Sequence, residues 1–315
     1  MTQRSDRLIW LDGNLVPWEQ ATVHVLSHSH QRGSLVFDYL AVHDTARGPA
    51  VFRLDDHLAR FRVSTDLVGL PVEPTPAELR PAVLETVRAN PGCRSVKICA
   101  FLPSIEVDVV PQDPRVSIAI AAYETGADVI AKNPGKFHFA PELKLWVEKE
   151  RRNRRADIMA PQAKVAANYT SPMVAKWRAR KAGYDEIVLV DEDGNLAEAP
   201  TSNIFLVDEG GALHTPLERN VLLGITRRSV IELALHERRP VVEESIPPDA
   251  LFDAAEVFLT ATTAGVWPVV SVDGKPVGEG KAGPVTLALR ERLQRVERGE
   301  DPEFEHWLAY ANEGD

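Results

Sequence analysis

Apolar and polar positions alternate through the first fifty residues, and the period then changes. The stretch IWLDGNLVPW is two short apolar runs around Asp12-Gly13, a dipeptide that predicts a hairpin. Further strands are predicted over Ala21–Leu26, Leu35–Val42 and Ala50–Arg53. From Asp55 to Val68 the apolar residues Leu58, Phe61, Leu67 and Val68 fall on one helical face. Thr75-Pro76-Ala77-Glu78 has the form of a capping box with proline as first helical residue, which predicts a helix to about Ala89. Strands over Ser95–Phe101 and Val116–Tyr123 complete this half.

From Glu124 to Gly135 the chain turns polar and glycine-bearing, as a linker would. Beyond it, the second half starts with Lys136–Pro141, and a solvated loop is predicted over the charged run Glu148–Arg155. Ser171 as N-cap with Pro172 as first residue announces a helix to Lys181. Two hairpins follow, one through Glu186–Val190 and Asn195–Ala197, the other through Asn203–Val207 and Ala212–His214. Helices are predicted at Ile225–His236 and Pro284–Val296, with a strand at Glu256–Thr262 between them. Helices mixed with hairpin-joined strands predict α+β domains rather than a doubly wound sheet. The expected division is a smaller N-terminal domain (1–123), a linker (124–135) and a larger C-terminal domain (136–315).

Composition narrows the class. The 315 residues carry 36 Lys and Arg against 46 Asp and Glu, a formal charge of −10. That balance opposes non-specific nucleic-acid binding, which needs excess cations to displace counterions from phosphates. The basic run at 151–155 is diluted by Glu148 and Glu150, although one of its arginines could approach an active site. No apolar run of about 18 residues exists to span a bilayer, and the N-terminus lacks a signal-like apolar stretch. Cys93 and Cys99 fit neither a metal nor a disulfide framework, and two reduced, buried thiols are expected. A soluble, cytoplasmic protein follows. Trp146, Trp177 and Trp267 are expected in the core, with Trp267 also near enough to Gly265 to shape a pocket.

Four segments could carry chemistry. Lys164 lies in AKVAANY, small or apolar on nearly every side; such surroundings disfavour the charged amine and suit a lysine that attacks a carbonyl, though the segment taken alone reads first as a surface lysine before a helix. Leu223-Gly224-Ile225-Thr226-Arg227 is a glycine followed by a helix start, whose freed amides and hydroxyl suit a phosphate, or simply cap a turn. Thr260-Ala261-Thr262-Thr263-Ala264-Gly265 gathers hydroxyls at a strand end. Glu198, between alanines on a core-facing strand, needs a partner: a protonated pyridine, a cationic side chain or backbone amides.

Taken together, Lys164 with Tyr169, Glu198 followed by Asn203-Ile204-Phe205, the Leu223–Arg227 segment and Thr262 resemble the fold type IV pyridoxal-phosphate enzymes, of the D-amino acid aminotransferase-like fold. The similarity is greatest to branched-chain amino acid aminotransferases. Asp12-Gly13, Val23–His28, Val51-Phe52-Arg53 and His57-Leu58-Ala59-Arg60 also match, so the resemblance spans nearly the whole chain. It implies pyridoxal 5'-phosphate as cofactor, bound covalently by Lys164, which also shuttles a proton. Glu198 would face the pyridine nitrogen and Tyr169 the phenolic oxygen. Arg60, the amides of Ile225 and Thr226, and the hydroxyls of Thr226 and Thr262 would clamp the phosphate, with Asn203, Leu223, Gly224 and Thr263 also at the cofactor. It further implies a homodimer, an amino donor and a 2-oxo acid acceptor.

On the substrate side the match departs. Arg32 precedes Gly33 where an aromatic residue is usual; Phe37 is followed by Asp38-Tyr39 rather than Glu-Gly; and Ser95-Val96-Lys97 stands for Tyr-x-Arg. The usual Gly-Thr-Ala-Ala is replaced around Thr262-Thr263-Ala264-Gly265, which looks more like (R)-selective amine aminotransferases. Arg32, Phe37, Tyr39, Lys97, Thr263 and Ala264 are thus the expected pocket, with Arg32 or Lys97 for a substrate carboxylate. The reading is transfer from a hydrophobic, branched-chain-like L-amino acid to a 2-oxo acid such as 2-oxoglutarate. An (R)-amine:pyruvate transaminase is the alternative, followed by an aminodeoxychorismate lyase-type enzyme and a D-amino acid aminotransferase. The Arg-x-His expected of the last is missing from Leu102–Val110.

Overall fold

The computed structural model describes residues 6–131 and 140–313. The chain divides into two compact units: Met1–His138 with Ala163–Ala167 and Val296–Asp315, and Phe139–Gln162 with Asn168–Arg295. A single cut at 124–135 was expected; that linker lies partly, and the Lys136–Pro141 segment largely, outside the described residues, and Thr125–Ile130 forms a π-helical turn. Two later segments, the one carrying Lys164 and the C-terminal stretch, belong with the first unit. Their places are set by backbone pairing with distant strands, which local composition does not record.

In the first unit, β1 (Leu8–Leu11) and β2 (Asn14–Pro17) are joined by Asp12 and Gly13, both at positive φ (46° and 94°), as a two-residue hairpin turn requires. The strand expected at 21–26 is irregular chain, and α1 (His28–Arg32) follows it. Val23, Val25 and Leu26 are exposed there, so alternation without a strand to pair with produced no sheet. Next come β3 (Val36–Thr45), β4 (Gly48–Phe52), α2 (Leu54–Leu67), α3 (Pro76–Ala89), β5 (Ser95–Phe101) and β6 (Ser117–Tyr123). The capping box at Thr75 and Glu78 is formed. α2 starts from Arg53, held at φ 48° because its amide donates to the Trp307 carbonyl at 2.6 Å and its guanidinium lies 4.3 Å over the Trp307 ring. Leu58 and Phe61 of α2 and Val83 and Leu84 of α3 are buried with Leu40, Val96, Ile98 and Ile120 of the sheet.

The second unit contains β7 (Leu143–Arg152), α4 (Thr170–Lys181), β8 (Glu186–Val190), β9 (Glu198–Ala199), β10 (Ser202–Val207), β11 (Leu213–Pro216), α5 (Ile225–His236), β12 (Val241–Glu244), α6 (Ala250–Asp253), β13 (Glu256–Ala261), β14 (Gly265–Val272), β15 (Lys275–Pro276) and most of α7 (Pro284–Glu297). β16 (Leu308–Tyr310) returns to the first unit. Among the described residues, the first sheet is antiparallel with order β16-β4-β3-β5-β6-β1-β2. The second runs β12-β11-β10-β13-β14-β7-β8 and is mixed: β12, β7 and β8 join by parallel pairing. Leu145, Val188, Ile204, Leu259 and Val269 form its core.

Several local expectations change. The charged residues at 148–152 are strand rather than solvated loop, because Glu148 is buried and accepts from the amides of Glu150 and Arg151 while facing Arg178. α4 begins at Thr170 with Tyr169 before it, so Ser171 is inside the helix and Pro172 sits third, where its missing N–H still costs nothing. Trp177 is exposed, and Trp267 packs on the core with its indole donating to the Ala140 carbonyl at 2.8 Å. Both cysteines are free. No helix of the described residues is long and apolar enough to cross a membrane.

Candidate active site

In the first unit, Lys164 is held by its backbone. Phe37 N–H donates to its carbonyl at 3.1 Å, its own N–H donates to Ser64 Oγ at 3.1 Å, and Ala166 N–H donates to the Leu35 carbonyl at 2.8 Å. A bridge between Val36 and Val165 completes a short antiparallel docking on the start of β3. Gly33 makes room for it: a Cβ there would lie 3.3 Å from the Ala167 Cβ, and its φ of +71° ends α1. Lys164 is half-buried, with its ammonium 5.0 Å from the Phe37 ring centroid.

Lys97 reaches the same ring, at 4.8 Å. It lies opposite Tyr39, and Phe37 lies opposite Cys99, so alternation on β3 and β5 sets these side chains on one face. Tyr39 donates its hydroxyl to Ser95 Oγ, which is 3.3 Å from Thr125 Oγ1. Burial, reinforced by Tyr39, pushes the Tyr123 phenol up. Arg32 is exposed and gives Nη2 to the Val107 carbonyl at 3.0 Å and Nη1 to Gln31 at 3.2 Å. Of the two cations expected for a carboxylate, Lys97 therefore shares the Lys164 surface, while Arg32 braces the 103–110 loop.

Arg60, on α2, is almost fully buried. Its Nε and Nη2 donate to the two oxygens of Asp38 at 2.9 and 2.7 Å. His57, one turn earlier, places Nδ1 at 2.8 Å from Asp38 Oδ1. Neither Asp38 nor His57 was singled out as a site residue from sequence. A lone aspartate in the apolar run VFDYLAV, and a histidine three residues before Arg60, were the available signals.

The second unit holds the remaining candidates. Glu198 is buried on β9 and accepts from Arg154 Nη2 at 2.7 Å and from Leu222 N–H at 3.1 Å, with Asn203 Nδ2 at 3.4 Å. Arg154 is thus the arginine of the basic run that meets a candidate site residue. Asn203 also donates to the Leu222 carbonyl at 2.9 Å, bracing the loop before α5. Gly224 is the N-cap of α5 and supplies no side-chain cap to the helix; an added Cβ would collide with Asn203 Oδ1. Leu223 is exposed, whereas Ile225 and Thr226 are buried in the first turn. Thr262 is not in a strand as expected. β13 ends at Ala261, and Thr262, Thr263 and Ala264 form the turn into β14, closed by Ala264 N–H to the Ala261 carbonyl at 3.2 Å and Gly265 at φ 61°. Thr263 is exposed and Thr262 half-buried, while the Thr260 hydroxyl is buried without a partner. Tyr169 is half-buried at the N-cap of α4.

Comparisons with known proteins place the chain in a family. The family model described as amino-transferase class IV matches residues 35–272. A branched-chain-amino-acid aminotransferase of Salmonella typhimurium is 33% identical over 315 residues, covering 99% of this chain and all of that one. The crystal structure of a T.th. branched-chain amino acid aminotransferase with pyridoxamine 5'-phosphate superposes with a TM-score of 0.89 at 36% identity, covering 98% of this chain and 100% of the other. A branched-chain aminotransferase from Thermoproteus uzoniensis, solved with norvaline, gives 0.88 at 32% identity, again over 98% and 100%.

Proposed function

The chain belongs to the class IV aminotransferases, and on that premise we propose that it moves an amino group from a hydrophobic, branched-chain-like L-amino acid to a 2-oxo acid such as 2-oxoglutarate. The cofactor is pyridoxal 5'-phosphate. The residues fit it by their chemistry: an amine fixed by its backbone, a buried arginine, a buried carboxylate, and a helix N-terminus that its N-cap residue leaves without a side-chain cap. The observation that carries the reading is the docking of the Lys164 segment on β3 and α2, the elements that also hold Asp38 and Arg60.

In this reading Arg60, the amides of Ile225 and Thr226, and the hydroxyls of Thr226 and Thr262 hold the phosphate, where uncapped helix-terminal amides and a guanidinium favour a dianion. Gly224 lets the chain approach closely, and Leu223 and Thr263 flank it. Glu198 pairs with the protonated ring nitrogen, its carboxylate oriented by Arg154, Asn203 and Leu222 N–H. Tyr169 donates to the ring oxygen. When bound, the cofactor supplies an electron-withdrawing ring that stabilises negative charge at the donor's Cα. Lys164 Nζ anchors it, takes the proton from that Cα and returns it later in the turnover. Phe37, Tyr39 and Ala264 line the donor side, and Lys97 rather than Arg32 receives a carboxylate, as a point charge beside the Phe37 ring.

The protein acts as a cytoplasmic homodimer. Two free thiols, Cys93 buried and Cys99 half-buried, suit a reducing compartment, and exposed Val25, Leu26, Ile105, Val107, Val109 and Val110 supply apolar surface for a second copy. Half-reactions test the donor: loss of the visible cofactor band on adding L-leucine is expected, with Lys164→Ala lacking the band altogether. Conversion by (R)-1-phenylethylamine or D-alanine instead of L-leucine would replace the donor, and pyruvate release from aminodeoxychorismate would replace the reaction. A chain that stays colourless with added pyridoxal phosphate would overturn the reading.

A further inference from the structure

Asp38 has no place in the chemistry derived above, yet it is completely buried and takes three side-chain hydrogen bonds, two from Arg60 and one shared with His57. Its Oδ1 also accepts from Tyr39 N–H at 2.7 Å, so the carboxylate is fixed to its own strand. The contacts to Arg60 are bidentate, along the Nε–Nη2 edge, and such a fork sets both the plane and the direction of a guanidinium. His57 Nδ1 lies 3.4 Å from Arg60 Nη2, and the whole imidazole is buried with Nε2 unpartnered. A buried carboxylate and guanidinium both lose hydration, a cost repaid only by close geometry and further hydrogen bonds, which Tyr39 N–H and His57 add here. Ser64, one turn beyond Arg60 on α2, meanwhile pins the Lys164 amide, and Phe37, next to Asp38, pins its carbonyl. The same strand and helix thus fix the anchoring amine and the arginine together.

We propose that Asp38, held in place by His57, is a positioning residue that aims the Arg60 guanidinium at the cofactor's phosphate. The proposal rests on the reading that Arg60 holds that phosphate. Its signature is selectivity for the phosphate group, because misaiming Arg60 weakens only ligands that carry one.

The full-length protein, stripped of cofactor, is titrated with pyridoxal phosphate and with pyridoxal, which has the same aldehyde but no phosphate, and the ratio of their affinities is recorded. Arg60→Ala is expected to collapse the ratio, and Asp38→Asn to lower it about 10- to 100-fold with pyridoxal affinity nearly unchanged. In the double variant the loss should not exceed that of Arg60→Ala alone. An unchanged ratio in Arg60→Ala would refute the assignment of Arg60 to the phosphate. A reduced ratio there with an unchanged ratio in Asp38→Asn, or equal weakening of both ligands in Asp38→Asn, overturns the positioning role while leaving that assignment intact. Should Asp38→Asn fail to fold, His57→Gln carries the test: it keeps the charge pair, removes the imidazole that fixes the carboxylate, and must lower the ratio by a smaller factor. An unchanged ratio in His57→Gln overturns the proposal too.

Discussion

Glu297 is the last residue of α7, an unfavourable end of a helix for an anion, and its Oε1 lies 3.9 Å from His43 Nε2 on β3. Burial pushes the Glu297 carboxyl up to about 7, against its ordinary 4.5, with Arg298 opposing. Burial lowers the His43 imidazole to about 4 from 6.5; Arg94 adds to this and Asp44 opposes it. Both groups are therefore neutral in the folded protein through mildly acidic pH. The folded carboxyl binds more protons than the unfolded one between pH 4.5 and 7, so its contribution to stability is lost as pH rises through that window. At about 1.4 kcal/mol per unit the loss is roughly 3 kcal/mol. The folded imidazole binds fewer protons than the unfolded one between pH 4 and 6.5, so its contribution rises with pH by a similar amount. The two slopes cancel over most of their common range, and the pair gives the wild type a nearly flat profile there.

Breaking the pair exposes each slope. Glu297→Gln should gain stability steadily from pH 4 to 6.5, whereas His43→Gln should lose it from pH 4.5 to 7. A change of about 3 kcal/mol corresponds to a melting shift of roughly 6 to 12 °C for a chain or unit of this size. Thermal melts of the full chain from about pH 4 to 8, followed by near-ultraviolet circular dichroism, read it directly. Variant profiles parallel to that of the wild type would refute the reasoning, because slopes of opposite sign are its whole content.

Three further outcomes are expected. Gly224→Ala drives a methyl into Asn203 Oδ1, so either the loop before α5 shifts or Asn203 gives up its bond to the Leu222 carbonyl that braces that loop; cofactor affinity should fall about tenfold, and an unaltered titration would count against a phosphate at that helix start. Arg154→Met removes the cation from buried Glu198 and should lower stability by about 3 to 5 kcal/mol in urea titrations, whereas an unchanged midpoint would mean the pair is dispensable. Burial raises both Cys93 and Cys99 to about 11, so an aromatic disulfide reagent at about pH 8 should find neither thiol until denaturant is added.

Local chemistry fixed much of the fold. The Asp12-Gly13 turn, the Thr75 capping box and α5 from Ile225 to His236 follow from rules that act within a few residues, and the structure contains each of them. The Lys164, Glu198 and Leu223–Arg227 segments were legible for a similar reason: each joins an unusual residue to a short, constrained context. Where the sequence misled, a distant partner decided. Residues 21–26 alternate like a strand but have none beside them, and the charged residues 148–152 are a strand because β8 pairs with that end of β7, Leu189 opposite Glu148 and Val190 opposite Arg152.

The sequence by itself determined which residue types could do the chemistry: one lysine among small neighbours, one carboxylate in an apolar strand, one glycine before a helix. Tertiary structure decided what those groups are bound to. It gave Glu198 to Arg154, placed Asp38 and His57 behind Arg60, and returned the Lys164 segment to the first unit by pairing it with Val36. Those choices depend on contacts between residues far apart in the chain. Burial makes them strong, since a charge removed from water must find its partner within the protein. Periodicity and composition describe each segment alone, and so they set the alphabet of the site but not its pairings.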